Sequence, residues 1–160
     1  MTREILSIVV LGAILLGAVA FLPLISNGYA KAEWYEVGEV LNGKSFRLKN
    51  GEKVRLASLQ VPNIAETSGK MRPGEPLGLE AKKALESLLS GQKVMLEYGP
   101  NPKDRRGRHI AFVTLEDGRV AQEEMVKQGW AMVYGFADNR EWIKRLLPHE
   151  AQARAENRGI

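Results

Sequence analysis

The chain contains no cysteine and only two histidines among its 160 residues. Without cysteine there is no disulfide framework, no thiolate metal site and no thiol nucleophile, and the redox compartment is left open. The histidines offer no zinc pattern: His149-Glu150-Ala151-Gln152-Ala153 lacks the second histidine of an H-E-x-x-H helix, and His149 and His109 both read as structural. No glycine-rich phosphate loop and no Ser/His/Asp nucleophile grouping is visible. Excess charge of one sign is also small, with 23 Lys+Arg against 19 Asp+Glu, a net charge of +4 and a pI of about 9.4. Such a mild basic field suits a nucleic-acid partner and an ordinary soluble surface equally well.

One long apolar run is present. Residues 5–25 are interrupted only by Ser7, Gly12, Gly17 and Pro23, and about 20 apolar residues can cross a bilayer core of roughly 30 Å. The chain therefore divides into a hydrophobic anchor or signal segment, 1–31, and one domain, 32–160, of a size that buries a single core. The run is longer than the apolar region of a cleavable signal, which favours an N-terminal membrane helix. Pro23 followed by Gly28-Tyr29-Ala30 and Ala30-Lys31-Ala32 resembles a processing site and favours cleavage. The first reading places the domain outside the cytoplasm on a single inner-membrane span. The second makes it secreted or periplasmic.

From Trp34 onward, short β-type runs alternate with turn residues. Trp34–Leu41, Lys44–Lys49 and Lys53–Gln60 read as strands joined at Asn42-Gly43 and Asn50-Gly51, a strong hairpin pair. Asn63–Pro76 holds Gly69, Pro73 and Gly74 and reads as an irregular loop, and a long loop in a small domain is often functional. Leu77–Leu89 repeats apolar residues three and four apart and closes at Gly91, which predicts an amphipathic helix. Strands follow at Gln92–Tyr98, His109–Leu115 and Arg119–Ala121, then helices at Gln122–Gln128 and Arg140–Arg158, the latter capped by Asp138 or Asn139. This order predicts an α+β, mainly β domain: a five-stranded OB-type barrel with about three helices, behind the N-terminal hydrophobic helix.

Four strings in order carry a family resemblance: Asn42-Gly43-Lys44-Ser45-Phe46-Arg47-Leu48, Val54 to Asn63, Asp104-Arg105-Arg106-Gly107-Arg108, and Val120 to Tyr134. The chain from about Glu36 resembles the staphylococcal-nuclease-like (thermonuclease) family. Its typical strings are D-G-D-T/S-F-x-L, V-R-L-x-G-I-D-A-P-E, D-x-x-G-R and V-x-x-x-L-V-x-x-G-x-A-x-V-Y. The resemblance implies that Arg55 and Arg108 are the clamp on a scissile phosphate. It also implies that the two calcium-ligand carboxylates and the general-base glutamate fall on Lys44, Gln60 and Asn63. All three acidic positions are replaced, so no cofactor and no metal are expected and calcium binding should be lost, since calcium takes six to eight oxygen ligands, generally carboxylates among them.

Arginines bind phosphate, but hydrolysis also needs a group that activates water. Lys44 could sit where the metal would and lend a point charge. The expected binding set is Lys44, Arg55, Arg105, Arg106, Arg108 and Tyr134, the tyrosine as a stacking platform alongside Phe136. Asp104 reads as a turn former, and Trp130 and Trp142 as core. Glu66, Glu75 and Glu80 lie on or beside the loop after Asn63, either as solvated charges or as a relocated base. The function expected is therefore a catalytically depleted thermonuclease-like module that binds single-stranded nucleic acid, another polyanion or a protein partner. The alternative is a phosphodiesterase or endonuclease with rearranged acidic residues.

Overall fold

A computed structural model describes residues 33–65, 73–135 and 139–160. The apolar run at 5–25 lies outside them, and among the described residues no helix is long and apolar enough to cross a membrane.

The amino-terminal strands are β1 (Glu33–Asn42), β2 (Ser45–Leu48) and β3 (Lys53–Leu56). They pair antiparallel in sequence, as the two Asn-Gly pairs predict. The first turn differs in detail. Asn42 is still paired, opposite Ser45, so Gly43 and Lys44 form the turn and Lys44 is not a strand residue. The Asn42 side chain accepts the Lys44 amide at 3.1 Å. Gly43 is needed for space: a Cβ there would lie 2.6 Å from Val61 Cγ1 and 2.9 Å from the Ala81 Cβ.

The strand expected at Lys53–Gln60 is broken. Ser58 has φ of +57°, a left-handed conformation that ends a ladder. The remainder is β4 (Leu59–Gln60), which pairs with β7 (Met132–Val133), a strand too short to show as a periodicity. Two further strands, β5 (Lys93–Lys103) and β6 (His109–Leu115), form a long hairpin. β6 then runs parallel to β3 while β5 pairs with β1, closing the barrel in the order β1-β2-β3-β6-β5. The predicted five-stranded barrel is therefore present. Arg119–Ala121 is not a strand; it contributes one bridge, Thr114 to Val120.

The helices are α1 (Gly78–Leu89), α2 (Ala121–Lys127) and α3 (Arg140–Ala155). α3 stops three residues short of Arg158, where Asn157 turns left-handed. Asn139 takes its N-cap position without a side-chain cap bond, and Asp138 lies outside the described residues. Phe46, Leu56, Leu96 and Leu115 fill the barrel and meet Leu85 and Leu89 of α1, Met125 of α2 and Leu146 of α3 in one core. Trp130 and Trp142 pack against this core half-buried. Trp142 stacks on Phe112 with ring centroids 4.0 Å apart and 7° between planes, and its Nε1 donates to Glu97 Oε1 at 3.1 Å. These contacts fasten α3 to the barrel wall.

Candidate nucleic-acid interface

Sheet register brings the cations together. Arg55 sits opposite Ser45 on one side and Ile110 on the other. The Lys44 carbonyl accepts the Leu56 amide at 2.9 Å, and Arg108 immediately precedes His109, which pairs with Val54. Residues 44, 55 and 108, remote in sequence, thus share one end of the barrel.

The turn from Asp104 to Arg108 holds one of the arginines in place. Asp104 Oδ1 accepts the amides of Arg106 at 2.8 Å and Arg108 at 3.1 Å, while Oδ2 takes Arg108 Nε at 2.7 Å and a terminal guanidinium nitrogen at 2.6 Å. Gly107, at φ of +73°, supplies the left-handed residue this turn requires. Asp104 is the turn former expected and, in addition, the residue that aims Arg108. Burial pushes its carboxyl upward, but hydrogen bonds from the Arg108 side chain and the Arg106 and Arg108 amides outweigh this, holding it below the usual aspartate value.

Arg55 and Lys44 are half-buried. Burial, followed by the neighbouring charge of Arg108, lowers the Arg55 pKa, with Arg106 adding to the effect; a guanidinium nonetheless stays protonated. Burial also lowers the Lys44 pKa, with Arg55 and Arg108 pushing the same way and Glu75 opposing them. Lys44 Nζ donates to Val61 O and to Asn63 Oδ1, each at 3.3 Å. Asn63 in turn donates its amide and its Nδ2 to Glu75 Oε2, at 2.5 and 2.9 Å.

Beside Arg55 opens a pocket of about 290 Å³. Its lining includes Ser58, Gly99, Phe112, Tyr134 and Asn139. The Ser58 Oγ is buried there without a hydrogen-bond partner among the described residues, whereas the Tyr134 amide donates to Ser58 O at 2.9 Å.

Of the residues singled out from the sequence, Lys44, Arg55, Arg106 and Arg108 share one electrostatic field, and Tyr134 stands at the pocket rim, 49% exposed. Arg105 is exposed on the same turn. Gln60 lines a different groove with Met132, Ile160 and Glu75. Phe136 and Glu66 lie outside the described residues, and Glu80 lies in the first turn of α1. No local pattern marks Ser58, Gly99, Phe112 and Asn139 as pocket residues, because they come from four separate segments. Among the described residues no group of three or more His, Asp or Glu could hold a metal ion.

A family model described as "Staphylococcal nuclease homologue" matches residues 53–160. The thermonuclease of Staphylococcus hyicus is 30% identical over 160 residues, spanning 96% of this chain and 94% of that protein. The thermonuclease of Staphylococcus intermedius is 32% identical over 138 residues, 84% of this chain and 79% of the relative. The SPbeta prophage-derived endonuclease YokF of Bacillus subtilis is 30% identical over 113 residues, 69% of this chain and 37% of the relative. With the family model spanning residues 53–160 and two thermonucleases 30% or more identical over most of both chains, this chain belongs to the staphylococcal nuclease homologue family.

Proposed function

We propose that this domain binds the phosphates of single-stranded nucleic acid through Lys44, Arg55 and Arg108, and that it has given up the calcium-assisted cleavage its family resemblance implies. The observation that carries this reading is the convergence of three cations, all of them partly buried, beside a partly apolar pocket with a tyrosine at its rim. Cations fix the phosphate backbone, and an aromatic ring accepts any base on its face.

The residues present do not fit a calcium ion. The Lys44 ammonium already engages Val61 O and Asn63 Oδ1, and a cation bound to those oxygens repels a second one. Its charge instead serves the phosphate, as a point charge. The apolar run at 5–25 supports tethering of the domain to the outer face of the inner membrane, or its release after signal cleavage.

The test is retention of single-stranded DNA and RNA by the full chain in detergent, with calcium or with chelator. Expected are salt-sensitive binding that calcium does not change, no calcium-stimulated cleavage, and loss of binding in the Arg55→Ala, Arg108→Ala double variant. Calcium-dependent cleavage would overturn the reading.

A further inference from the structure

We propose that the turn between β5 and β6 is a docking surface for an anionic lipid bilayer, which it meets through the exposed side chains of Lys53, Lys103, Arg105 and Arg106. The inference rests on the tethering of the domain by the apolar run at 5–25, as read above. β1 runs antiparallel to β5, with Glu33 opposite Leu96. Traced backward, the direction of β1 therefore points along β5 toward Lys103 and the arginine turn. Leu96 pairs with Val113, four residues along β6 from His109, so the start of β1 lies about 13 Å along the strands from the base of that turn. Eight residue steps separate position 25 from Glu33, and they reach at most about 29 Å. A tether of that reach, joined to the end of β1 that faces the arginine turn, keeps this end of the barrel toward the bilayer. Trp34, the second residue of β1, is 52% exposed, and tryptophan is a side chain that settles at headgroup level.

Charge at this end matches an anionic surface. Lys103 pairs with His109, and Lys53 precedes Val54, which pairs with His109 from the other side. These two lysines and Arg105 and Arg106 are all exposed, and none has an ion-pair partner among the described residues. The nearby carboxylates are engaged within the domain: Asp104 by Arg108, Glu52 by Asn50 and His109, and Glu33 by the Tyr35 hydroxyl. Lys44, Arg55 and Arg108 are partly buried and are left to the nucleic-acid strand. The four exposed cations meet lipid phosphates, an attraction that grows with each Lys or Arg near the leaflet and that salt screens within a Debye length.

Because the chain has no cysteine, one labelling site can be introduced at a time. Full chains carrying Arg105→Cys, or Glu116→Cys beyond the opposite end of β6, are labelled with a fluorescent maleimide. Each is reconstituted in vesicles of phosphatidylcholine alone, or of phosphatidylcholine and phosphatidylglycerol in equal parts, with a trace of lipid bearing a nitroxide headgroup. The expected result is flotation of both chains with both vesicles, and several-fold stronger quenching of the Arg105→Cys probe than of the Glu116→Cys probe in anionic vesicles only. That difference should vanish in high salt and in an Arg105→Cys chain that also carries Lys103→Ala and Arg106→Ala. Equal quenching at the two positions, or quenching of the Arg105→Cys probe as strong in neutral vesicles, would overturn the inference and leave the tether standing. Loss of the quenching on adding single-stranded DNA would assign the turn to the strand and overturn it too. Failure of the chains to float with neutral vesicles would remove the tether and the inference together.

Discussion

Lys44 is the side chain on which the cationic cluster turns, because its ammonium meets Asn63 directly and feels Arg55, Glu75 and Arg108. Burial and the neighbouring arginines lower its pKa, so between that lowered value and the ordinary one near 10.4 the unfolded chain binds a proton that the folded chain does not. Stability of the free domain should therefore rise with pH across this window, while phosphate affinity falls as the ammonium is lost. Chemical denaturation and filter binding over the alkaline range just below the ordinary lysine value should show the two opposite trends, and Lys44→Met should flatten both. Asp104 acts through Arg108. Its contribution is present above the unfolded aspartate value and is lost as pH falls through the lower folded one. Asp104→Asn keeps an oxygen for the turn amides but loses the charge-assisted pair with the guanidinium, which is worth about 1.5–3 kcal/mol. Roughly tenfold weaker retention of single-stranded DNA is expected, at the lower end of that range; unchanged retention would show that Arg108 is held without Asp104.

At the scale of elements, the loop base and the barrel edge are the points where single changes should tell. The start of α1 approaches the chain at Asn63 so closely that only glycine fits at 78. Gly78→Ala would gain helix propensity of about 0.5–1 kcal/mol but must push Asn63 away, a strain of about 1–3 kcal/mol. A lower melting temperature and weaker engagement of Glu75 are expected, the first read by thermal denaturation. α2, which packs against both α1 and β6, inserts the fully buried Gln122 against β6. Its Oε1 accepts the Val113 amide at 3.1 Å and its Nε2 donates to Ala111 O at 2.8 Å. Ala111 O also receives the Ala57 amide at 3.0 Å, so Gln122→Leu would strand chiefly the Val113 N–H, at a cost of about 1–3 kcal/mol. Denaturant titration would check it; a variant as stable as native would mean that β6 finds another partner for that amide.

At the scale of the whole molecule, the net charge of +4 is too small to bind nucleic acid by itself. Affinity should come from the few cations gathered at one end of the barrel. With about three to four phosphates engaged, the logarithm of the association constant should fall against the logarithm of salt with a slope of roughly −2 to −3 for a single strand. A slope near zero would point to a protein partner instead. Calcium should leave the melting temperature unchanged, since only a ligand that binds the native state raises it. A nucleotide bisphosphate should raise it, and Arg55→Ala should cancel that rise.

Most of the barrel strands, the helices and the arginine turn were legible from residue order, because these depend on local signals: apolar periods, Asn-Gly pairs, glycines past helix ends and a short acidic-basic motif. It also located Lys44, Arg55 and Arg108 through motif order. Tertiary structure alone decided that the third strand breaks at Ser58, since a left-handed serine has no signature in composition and β7 is too short to register. It alone brought Glu75 onto Asn63 and assembled the pocket beside Arg55 from separate segments. The pocket depends on barrel closure through the parallel pairing of β3 with β6, a long-range register that no local pattern encodes.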